Sequence, residues 1–342
     1  MFCTANVRFL TTPVALQQAK VEMAMKRILL LTTGGTIAMA HTETAGSAVP
    51  LWSGADFLKV LPRDLADVRV EEFCNLPSAH LTLDDVWRLS RRVAALVAQD
   101  DVDGVVVTHG TDTLEESAYL CDVTIDTPKP IVFTGAMRVA SDVGYEGIAN
   151  LIAAIRVAAC DAARACGTLV VANDEIHTAR DVTKTHTTAL DTFVSPDGGP
   201  LGRVYADKVM VTRRPVYREF IPATRLETNV HLLKLTLGMS EGLLEYLVEA
   251  VGARGVVLET LGGGRVPPWW LATIERAINN GAAIVITSRV GAGRTVDAYG
   301  YAGAHRDLAR LGCWFANGLN GQKARLKLMA ALGTDNARAY FV

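Results

Sequence analysis

Residues 28–38 read ILLLTTGGTIA, a short apolar run that ends in threonines and two glycines. Four consecutive apolar residues are typical of a strand that is buried on both faces of a sheet. Gly34 and Gly35 permit a tight turn with positive φ, which presents the Thr36 hydroxyl at the carboxyl end of that strand. Ligands of α/β proteins bind at this edge of the sheet. The segment therefore predicts a buried parallel strand followed by a candidate functional hydroxyl.

Similar apolar runs recur along the chain and alternate with helical patterns. The runs lie at 104–108, 130–134, 168–172, 255–258 and 282–287. Between the runs, Thr82 precedes Asp85 and a stripe of apolar residues at helical spacing, which predicts a capped amphipathic helix. The segment Thr113-Leu-Glu-Glu116 has the same capping-box form. This alternation indicates an α/β fold built on parallel sheets.

The length of 342 residues favours about two domains. A polar, irregular stretch that contains Pro215 and Pro222 interrupts the α/β pattern, so we place a linker there. We predict an N-terminal extension at 1–24, a larger N-terminal catalytic domain with a mostly parallel sheet at 25–212, a linker at 213–229 and a smaller C-terminal α/β domain at 230–342.

Composition restricts the class of ligand. Lys and Arg total 34 against 36 Asp and Glu, a formal charge of −2, so no global positive field favours nucleic acid. No apolar run approaches the roughly 20 residues that cross a membrane. The six cysteines form no CxxC pair, and His177 and His186 lack metal-ligand spacing. We expect a small polar ligand, no metal, no nucleic-acid or membrane partner, and a cytoplasmic location, because no signal-peptide core is legible.

A second candidate loop follows the run at 104–108. It reads Thr108-His-Gly-Thr-Asp-Thr113 and places the Thr111 hydroxyl beside the Asp112 carboxylate. A Thr–Asp pair at a helix start is usually only a cap, and this loop alone favours that interpretation. Parallel strands end at one edge, however, so Thr111 and Thr36 are expected near each other. We interpret His109 as a hydrogen-bonded support residue.

Two further segments complete a pattern: Phe133-Thr-Gly-Ala-Met-Arg138 and Arg180-Asp-Val-Thr-Lys-Thr185. In their order and local context, the four segments resemble the bacterial-type L-asparaginase/glutaminase family, and Asn317–Arg325 extends the likeness to the C-terminal domain. The resemblance implies a two-domain asparaginase-like α/β fold that hydrolyses a small amide to a carboxylate and ammonia through an acyl-enzyme. It also implies no metal or organic cofactor, and a homodimer that commonly pairs into a homotetramer.

The resemblance assigns roles to four residues. Thr36 matches the family's nucleophile, and Thr111, Asp112 and Lys184 match its second catalytic group. A threonine hydroxyl is a poor nucleophile until a base removes its proton. Lys184 accepts a proton only in its neutral form, whereas the neighbouring Asp112 favours the protonated form of the lysine. Burial or proton sharing must decide which form of Lys184 is present.

Four positions match substrate contacts. Gly110 lies in the loop whose backbone N–H groups are the expected oxyanion donors. The Ala136 carbonyl matches a position near the leaving nitrogen. The segment that grips the substrate α-carboxylate in the family reads Pro77-Ser-Ala-His80 here, which places Ala79 on the family's serine and Ser78 one residue away.

Besides Ala79, the sequence departs from the family pattern in the mobile loop and at the positions that hold the α-amino group. Residues 41–52, which match a mobile loop that carries a tyrosine, contain none, and Ser47 falls near its position. Arg265 and Tyr299, or its neighbour Ala298, match partner-subunit residues that hold the substrate α-amino group. A guanidinium repels an ammonium and pairs with a carboxylate, unless Arg265 instead points to solvent. We expect an amidohydrolase whose substrate lacks a free ammonium, with asparagine left open.

Two other functions stay open. A non-catalytic ligand-binding or regulatory homologue is suggested by the missing tyrosine. An amidotransferase subunit also resembles the family, but it requires an added domain and an RNA-binding partner. A dinucleotide enzyme is excluded because Gly262-Gly-Gly264 is followed by prolines and not by the rest of a GxGxxG motif.

Overall fold

The computed structural model describes residues 25–41 and 47–341, so the predicted extension at 1–24 lies outside the described residues. The strands are β1 (Arg27–Thr32), β2 (Met39–His41), β3 (Ala48–Pro50), β4 (Asp67–Glu72), β5 (Gly104–Thr108), β6 (Ile131–Thr134), β7 (Thr168–Ala172), β8 (Glu175–Thr178), β9 (Thr183–Lys184), β10 (Phe193–Val194), β11 (Gly202–Tyr205), β12 (Lys208–Val211), β13 (Val230–Lys234), β14 (Gly255–Thr260), β15 (Ala283–Ser288) and β16 (Trp314–Phe315). The α-helices are α1 (Gly54–Val60), α2 (Leu83–Val97), α3 (Leu114–Thr124), α4 (Gly147–Ala159), α5 (Gly242–Glu249), α6 (Trp270–Asn279), α7 (His305–Leu311) and α8 (Gly321–Ala331). Short 3-10 helices cover Thr36–Ala38, Ser78–His80, Asp161–Ala163 and Ala337–Phe341.

The larger sheet has eight strands in the order β12–β11–β8–β7–β6–β5–β1–β4. Strands β4, β1, β5, β6 and β7 are parallel, whereas β8, β11 and β12 add antiparallel pairs at the other side. The carboxyl ends of β1, β5 and β6 therefore meet at one edge. The prediction of a mostly parallel N-terminal sheet is confirmed.

The central strand β1 is covered on both faces. Ile28 and Leu30 pack into a cluster that includes residues of α4, while Leu29 and Leu31 pack into a second cluster with residues of α2 and α3. Successive side chains of a strand point to opposite faces, so both clusters draw on one continuous apolar run. Full burial of each leucine contributes roughly 2 kcal/mol of hydrophobic free energy. This packing fixes the position of the turn that follows β1.

The two predicted helix starts have different outcomes. Thr82 caps α2 as predicted: its hydroxyl accepts from the Asp85 N–H at 3.2 Å, and its own N–H donates to the Asp85 carboxylate at 3.0 Å. At Thr113 the predicted capping box is wrong, since its side chain caps no backbone N–H of α3. The Thr113 hydroxyl instead donates to the carbonyl oxygen of Ser78 at 3.1 Å. This hydroxyl therefore joins two loops.

The smaller sheet contains four parallel strands in the order β13–β14–β15–β16. Residues 212–229, all of them described, contain no helix or strand and connect the two sheets. One hydrophobic cluster joins Tyr119 and Val123 of α3 to Leu328 and Met329 of α8. The two parts of the chain thus share apolar packing at α3 and α8, close to the loop that precedes α3.

Candidate active site

The Thr36 turn and the Thr111 loop lie side by side at the carboxyl edge of the larger sheet. Thr32 at the end of β1 pairs with Thr108 at the end of β5. The Thr33 hydroxyl donates to the Thr108 carbonyl oxygen at 2.9 Å, so the two strands deliver their loops at the same level. The two loops that the sequence singled out are therefore neighbours.

Glycines allow these loops to touch through their backbones. Gly35 has φ 82°, and a Cβ on it would lie 2.4 Å from the Gly110 Cα. A Cβ on Gly110 would lie 2.7 Å from the Ser78 hydroxyl oxygen. Real Cβ atoms do not approach other atoms so closely, so a side chain at either glycine would separate the loops. Thr36, Thr111 and Ser78 are held together by this contact.

Thr36 begins the 3-10 helix Thr36–Ala38 and is half-buried. Within the described part of the chain, its hydroxyl has no hydrogen-bonding partner. The next carbonyl along, that of Ile37, accepts a hydrogen bond from the Tyr145 hydroxyl at 2.7 Å. Burial raises the pKa of Tyr145 well above its usual value, so this phenol remains a neutral donor. Tyr145 therefore anchors the turn and leaves the Thr36 hydroxyl available.

Lys184 lies between the two polar residues of the second loop. Its ammonium group donates to the Thr111 hydroxyl at 3.0 Å and to the Asp112 carboxylate at 2.7 Å. The Lys184 side chain is only 16% exposed, whereas that of Asp112 is 67% exposed. The lysine is thus enclosed while the carboxylate reaches solvent. We call Thr36, Thr111, Asp112 and Lys184 the candidate catalytic set.

A buried carboxylate holds the Lys184 backbone. Glu115 of α3 accepts from the Thr183 hydroxyl at 2.9 Å and from the Lys184 N–H at 3.3 Å. Two residues at the start of α8 complete this contact, since the Asn320 side-chain amide donates to Glu115 at 2.9 Å and the Lys323 ammonium lies 3.4 Å from it. Burial lowers the pKa of Lys323, and the neighbouring Glu115 opposes that shift. The C-terminal domain therefore helps to position Lys184.

Sequence reasoning missed Tyr145, Glu115 and Lys323. Glu115 stood inside the predicted capping box, and Lys323 stood inside the segment Asn317–Arg325, which was used only for its likeness to the family. A signal was available, because a lysine on a helix face with apolar neighbours requires a buried partner. The sequence did not reveal which carboxylate that partner is.

His109 and Ala136 lie behind the catalytic loops. The His109 ring is fully buried with Nδ1 2.8 Å from the Gly110 carbonyl oxygen, which agrees with a support role. Ala136 is 1% exposed, and its neighbour Gly135 is held by a hydrogen bond from the Asn150 amide to its carbonyl at 3.0 Å. A Cβ on Gly135 would lie 2.5 Å from the His109 carbonyl oxygen. The segment that carries Ala136 therefore packs on the Thr111 loop.

Two groups, the buried His109 and the half-buried Asp122, make the stability depend on pH with opposite signs. Burial lowers the pKa of His109 from 6.5 to about 4, so stability falls as the pH drops from about 6.5 to 4. Burial raises the pKa of Asp122 from 3.8 to about 6, so its contribution rises as the pH drops through the same range. We therefore compare the drop in unfolding free energy between pH 7 and pH 4. In His109→Gln this drop should be roughly 3 kcal/mol smaller than in the parent, and in Asp122→Asn it should be roughly 2 kcal/mol larger. Urea unfolding at both pH values checks this, and equal changes in both variants would contradict it.

The expected recognition residues are divided between the two domains. Ser78 is buried in the glycine contact, whereas Ala79 is exposed. In the C-terminal domain, the Arg265 guanidinium lies over the Tyr299 ring at 4.2 Å, and its Nε is buried without a hydrogen-bonding partner. Arg265 therefore packs on an aromatic ring and does not simply extend into solvent. Among the described residues, neither it nor Tyr299 forms a hydrogen bond, ion pair or ring contact with the candidate catalytic set.

The stretch matched to the mobile loop is only partly described. β2 and β3 pair antiparallel, with His41 opposite Ala48, and residues 42–46 between them lie outside the described residues. Gly46 of the matched loop is among these. The hairpin leaves directly from the 3-10 helix at Thr36, since Met39 follows Ala38. The first residue of the hairpin, Met39, is therefore three positions after Thr36 in the sequence.

The histidines considered as metal ligands have other partners. His177 Nδ1 lies 2.9 Å from the Ser195 hydroxyl, and its Nε2 lies 3.3 Å from the Glu175 carboxylate. His186 Nδ1 accepts from the Thr188 N–H at 3.0 Å. In residues 25–41 and 47–341, no group of three or more His, Cys, Asp or Glu side chains is arranged to hold a metal ion.

Comparison with known proteins covers both parts of the chain. The family profile described as "Asparaginase, N-terminal" matches residues 27–217, and the profile "Glutaminase/Asparaginase C-terminal domain" matches residues 229–341. An L-asparaginase of Bacillus licheniformis is 36% identical over 90% of this chain and 96% of its own length. A glutaminase-asparaginase of Pseudomonas fluorescens biotype A is 34% identical over 94% of this chain and 90% of its own. A probable periplasmic L-asparaginase of Haemophilus influenzae is 34% identical over 90% of this chain and 89% of its own. On these matches and on its two-sheet architecture, the chain belongs to the glutaminase/asparaginase family and carries both of its domains.

Proposed function

We propose that this chain hydrolyses a small carboxamide to a carboxylate and ammonia through an acyl-enzyme on Thr36. As a member of its family, the chain is an amidohydrolase of the asparaginase type. The observation that carries the proposal is the contact of the Lys184 ammonium with both Thr111 and Asp112, next to the Thr36 turn. Such a nucleophile, base and orienting carboxylate is the arrangement that acyl transfer requires. The mutants argued in the Discussion test it.

The proposed reaction has two halves. The Thr36 oxygen attacks the amide carbon, and its proton passes to Lys184 in the uncharged form of that side chain. The tetrahedral intermediate then expels the nitrogen, which takes this proton and leaves as ammonia. Water then attacks the ester on Thr36, releasing the carboxylate and restoring the hydroxyl. Thr111 accepts a hydrogen bond from Lys184, so its own proton is free to donate toward the reacting groups. Backbone N–H donors at an oxyanion are worth roughly 3 kcal/mol each in comparable sites.

We further propose that the preferred amide carries no free α-ammonium. Arg265 is the reason, because a cation at the position matched to α-amino recognition repels an ammonium and attracts a carboxylate. The side chain is held over Tyr299, which fixes its charge in place. Because Arg265 forms no hydrogen bond or ion pair with the candidate catalytic set among the described residues, this role requires a second copy of the chain to supply it.

Arg265→Asn is expected to change substrate preference. Ammonia release should favour succinamic acid, which lacks the α-ammonium of asparagine, by about tenfold in kcat/KM for the parent, a difference of about 1.4 kcal/mol. In the variant this preference should disappear or reverse, because the repulsion is removed. Tyr299→Phe keeps the ring under the guanidinium and should preserve the parent preference. A parent that prefers asparagine, or a variant with unchanged preference, would refute the assignment.

A non-catalytic binding protein is the second candidate, favoured by the absence of tyrosine from residues 41–52. In that case, well-folded protein would bind an amide in calorimetry and release no ammonia from any member of a broad amide panel. Turnover of a single panel member would exclude this function.

Assembly and location remain proposals. We propose a homodimer or homotetramer, because Arg265 and Tyr299 form no hydrogen bond, ion pair or ring contact with the candidate catalytic set of the same chain among the described residues. A monomer in sedimentation velocity would contradict this. No α-helix within residues 25–41 and 47–341 is both long and apolar enough to cross a bilayer. The cytoplasmic location expected from the sequence stays a prediction beside a relative named as periplasmic, and cell fractionation would decide between the two.

A further inference from the structure

A cleft of about 840 Å³ lies between the two domains. Residues 213–218, which connect the domains, form one wall, and residues 315–318 of the C-terminal domain form part of another. None of the candidate catalytic set lines it. The cleft is therefore separate from the candidate catalytic set, and it borders that set through Thr183, Asn320 and Lys323, which contact Glu115 behind Lys184.

The charges that line the cleft are unbalanced. Seven basic side chains and three carboxylates face it. Asp122 and Asp197 are engaged by backbone N–H groups, at 2.8 Å and 2.9 Å. Asp181 pairs with Arg180 at 2.9 Å. Only one of the three carboxylates thus forms an ion pair with a cation of the cleft.

Four arginines of the cleft form no ion pair with any described residue. Arg213 and Arg214 donate to backbone carbonyls, at 2.8 Å and 2.9 Å, which fixes their guanidinium groups without neutralising them. Arg218 and Arg294 form neither ion pairs nor side-chain hydrogen bonds within the described ranges, and the Arg218 Nε is buried without a partner. The charge of Arg218 also acts on Asp122, where it opposes the rise in the pKa of that carboxyl. Held in a concave site, unpaired guanidiniums bind carboxylate or phosphate oxygens through charge-assisted hydrogen bonds.

We propose that this interdomain cleft binds a small anion with two or more negative charges, a dicarboxylate or a phosphate. An anion with two or more charges balances more than one of these unpaired cations, whereas a monovalent ion balances only one. The cleft is large enough for either class, since ligand pockets begin at about 300 Å³. The proposal is independent of the amidohydrolase reaction, because its readout is binding.

Isothermal titration calorimetry at low ionic strength tests the site with inorganic phosphate, succinate and, as a monovalent control, chloride. We expect saturable binding of phosphate or succinate to the full chain and none of chloride. Arg294→Gln, which removes an exposed and unpaired cation of the cleft, should weaken binding at least fivefold. Arg63→Gln, the same change at an exposed arginine outside the cleft, and Arg265→Gln, at the proposed substrate site, should leave it unchanged.

The pattern of ligands identifies the source of the anion. Binding of succinate alone supports a dicarboxylate site, binding of phosphate alone supports a phosphate site, and binding of both supports recognition of charge. Absence of binding by both dianions would overturn the proposal. Equal weakening by Arg294→Gln and Arg63→Gln, or weakening by Arg265→Gln alone, would also overturn it, since binding would then be non-specific or lie at the substrate site.

Discussion

Thr36→Ala should abolish turnover, lowering kcat by at least about 1,000-fold while amide binding is retained. The substitution removes the one oxygen that the proposed acyl-enzyme requires. The cost in stability is expected to be small, because the Thr36 side chain is half-buried and its hydroxyl has no partner among the described residues. Ammonia release at saturating amide measures the loss, and calorimetry with the same amide measures the retained binding.

The same turn offers a matched control. Thr33→Ala deletes a hydroxyl three residues away that donates to the Thr108 carbonyl at 2.9 Å, so it should cost about 1 kcal/mol of stability and leave most activity. Thr36→Ser keeps the hydroxyl and should retain part of the turnover. Mass spectrometry of the quenched parent should detect the acyl group on Thr36. A Thr36→Ala variant with a tenth or more of the parent activity would reject the mechanism.

The sheets were predictable because their strands are buried on both faces. Such strands read as uninterrupted apolar runs, and the predicted run at 28–31 lies within β1 while that at 168–172 coincides with β7. The cap of α2 was equally legible, since Thr82 and Asp85 are three residues apart and satisfy each other. In both cases the interactions that decide the structure are local or periodic.

The candidate site was legible only in part, because its remaining contacts join distant residues. Asn320 donates to Glu115 across 205 positions of sequence, and a single sequence does not pair such residues. The cap expected at Thr113 failed for the same reason, because a carbonyl 35 residues away competes for its hydroxyl. Tyr145 bonds the carbonyl of Ile37 from 108 residues away. The residue types at the strand ends predicted the candidate catalytic residues. The groups that orient those residues come from distant parts of the sequence and are identified only by the structure.

Lys184→Met should lower kcat by about 100- to 10,000-fold with KM changed by less than about threefold. Methionine keeps the length and most of the packing of the lysine, but it removes the donor shared by Thr111 and Asp112. The Asp112 carboxylate is well exposed, so water replaces the lost lysine as its hydrogen-bonding partner. The substitution should therefore affect the proton transfer and cost little stability. The limb of the pH profile of kcat/KM that reports the base should disappear in the variant. Steady-state ammonia release from pH 5 to 10 measures both effects.

Lys208→Met is the matched control, because Lys208 is exposed on β12 and lies outside the candidate catalytic set. This variant also loses one lysine charge, but that charge lies in solvent and outside the candidate catalytic set. It should therefore keep the parent kcat and pH profile. If Lys184 serves the chemical step, its loss appears in kcat and in the pH profile together. A loss confined to KM would instead make Lys184 a substrate-binding group. That result would leave the Thr36 hydroxyl without its proposed base and would require a proton acceptor from elsewhere in the molecule.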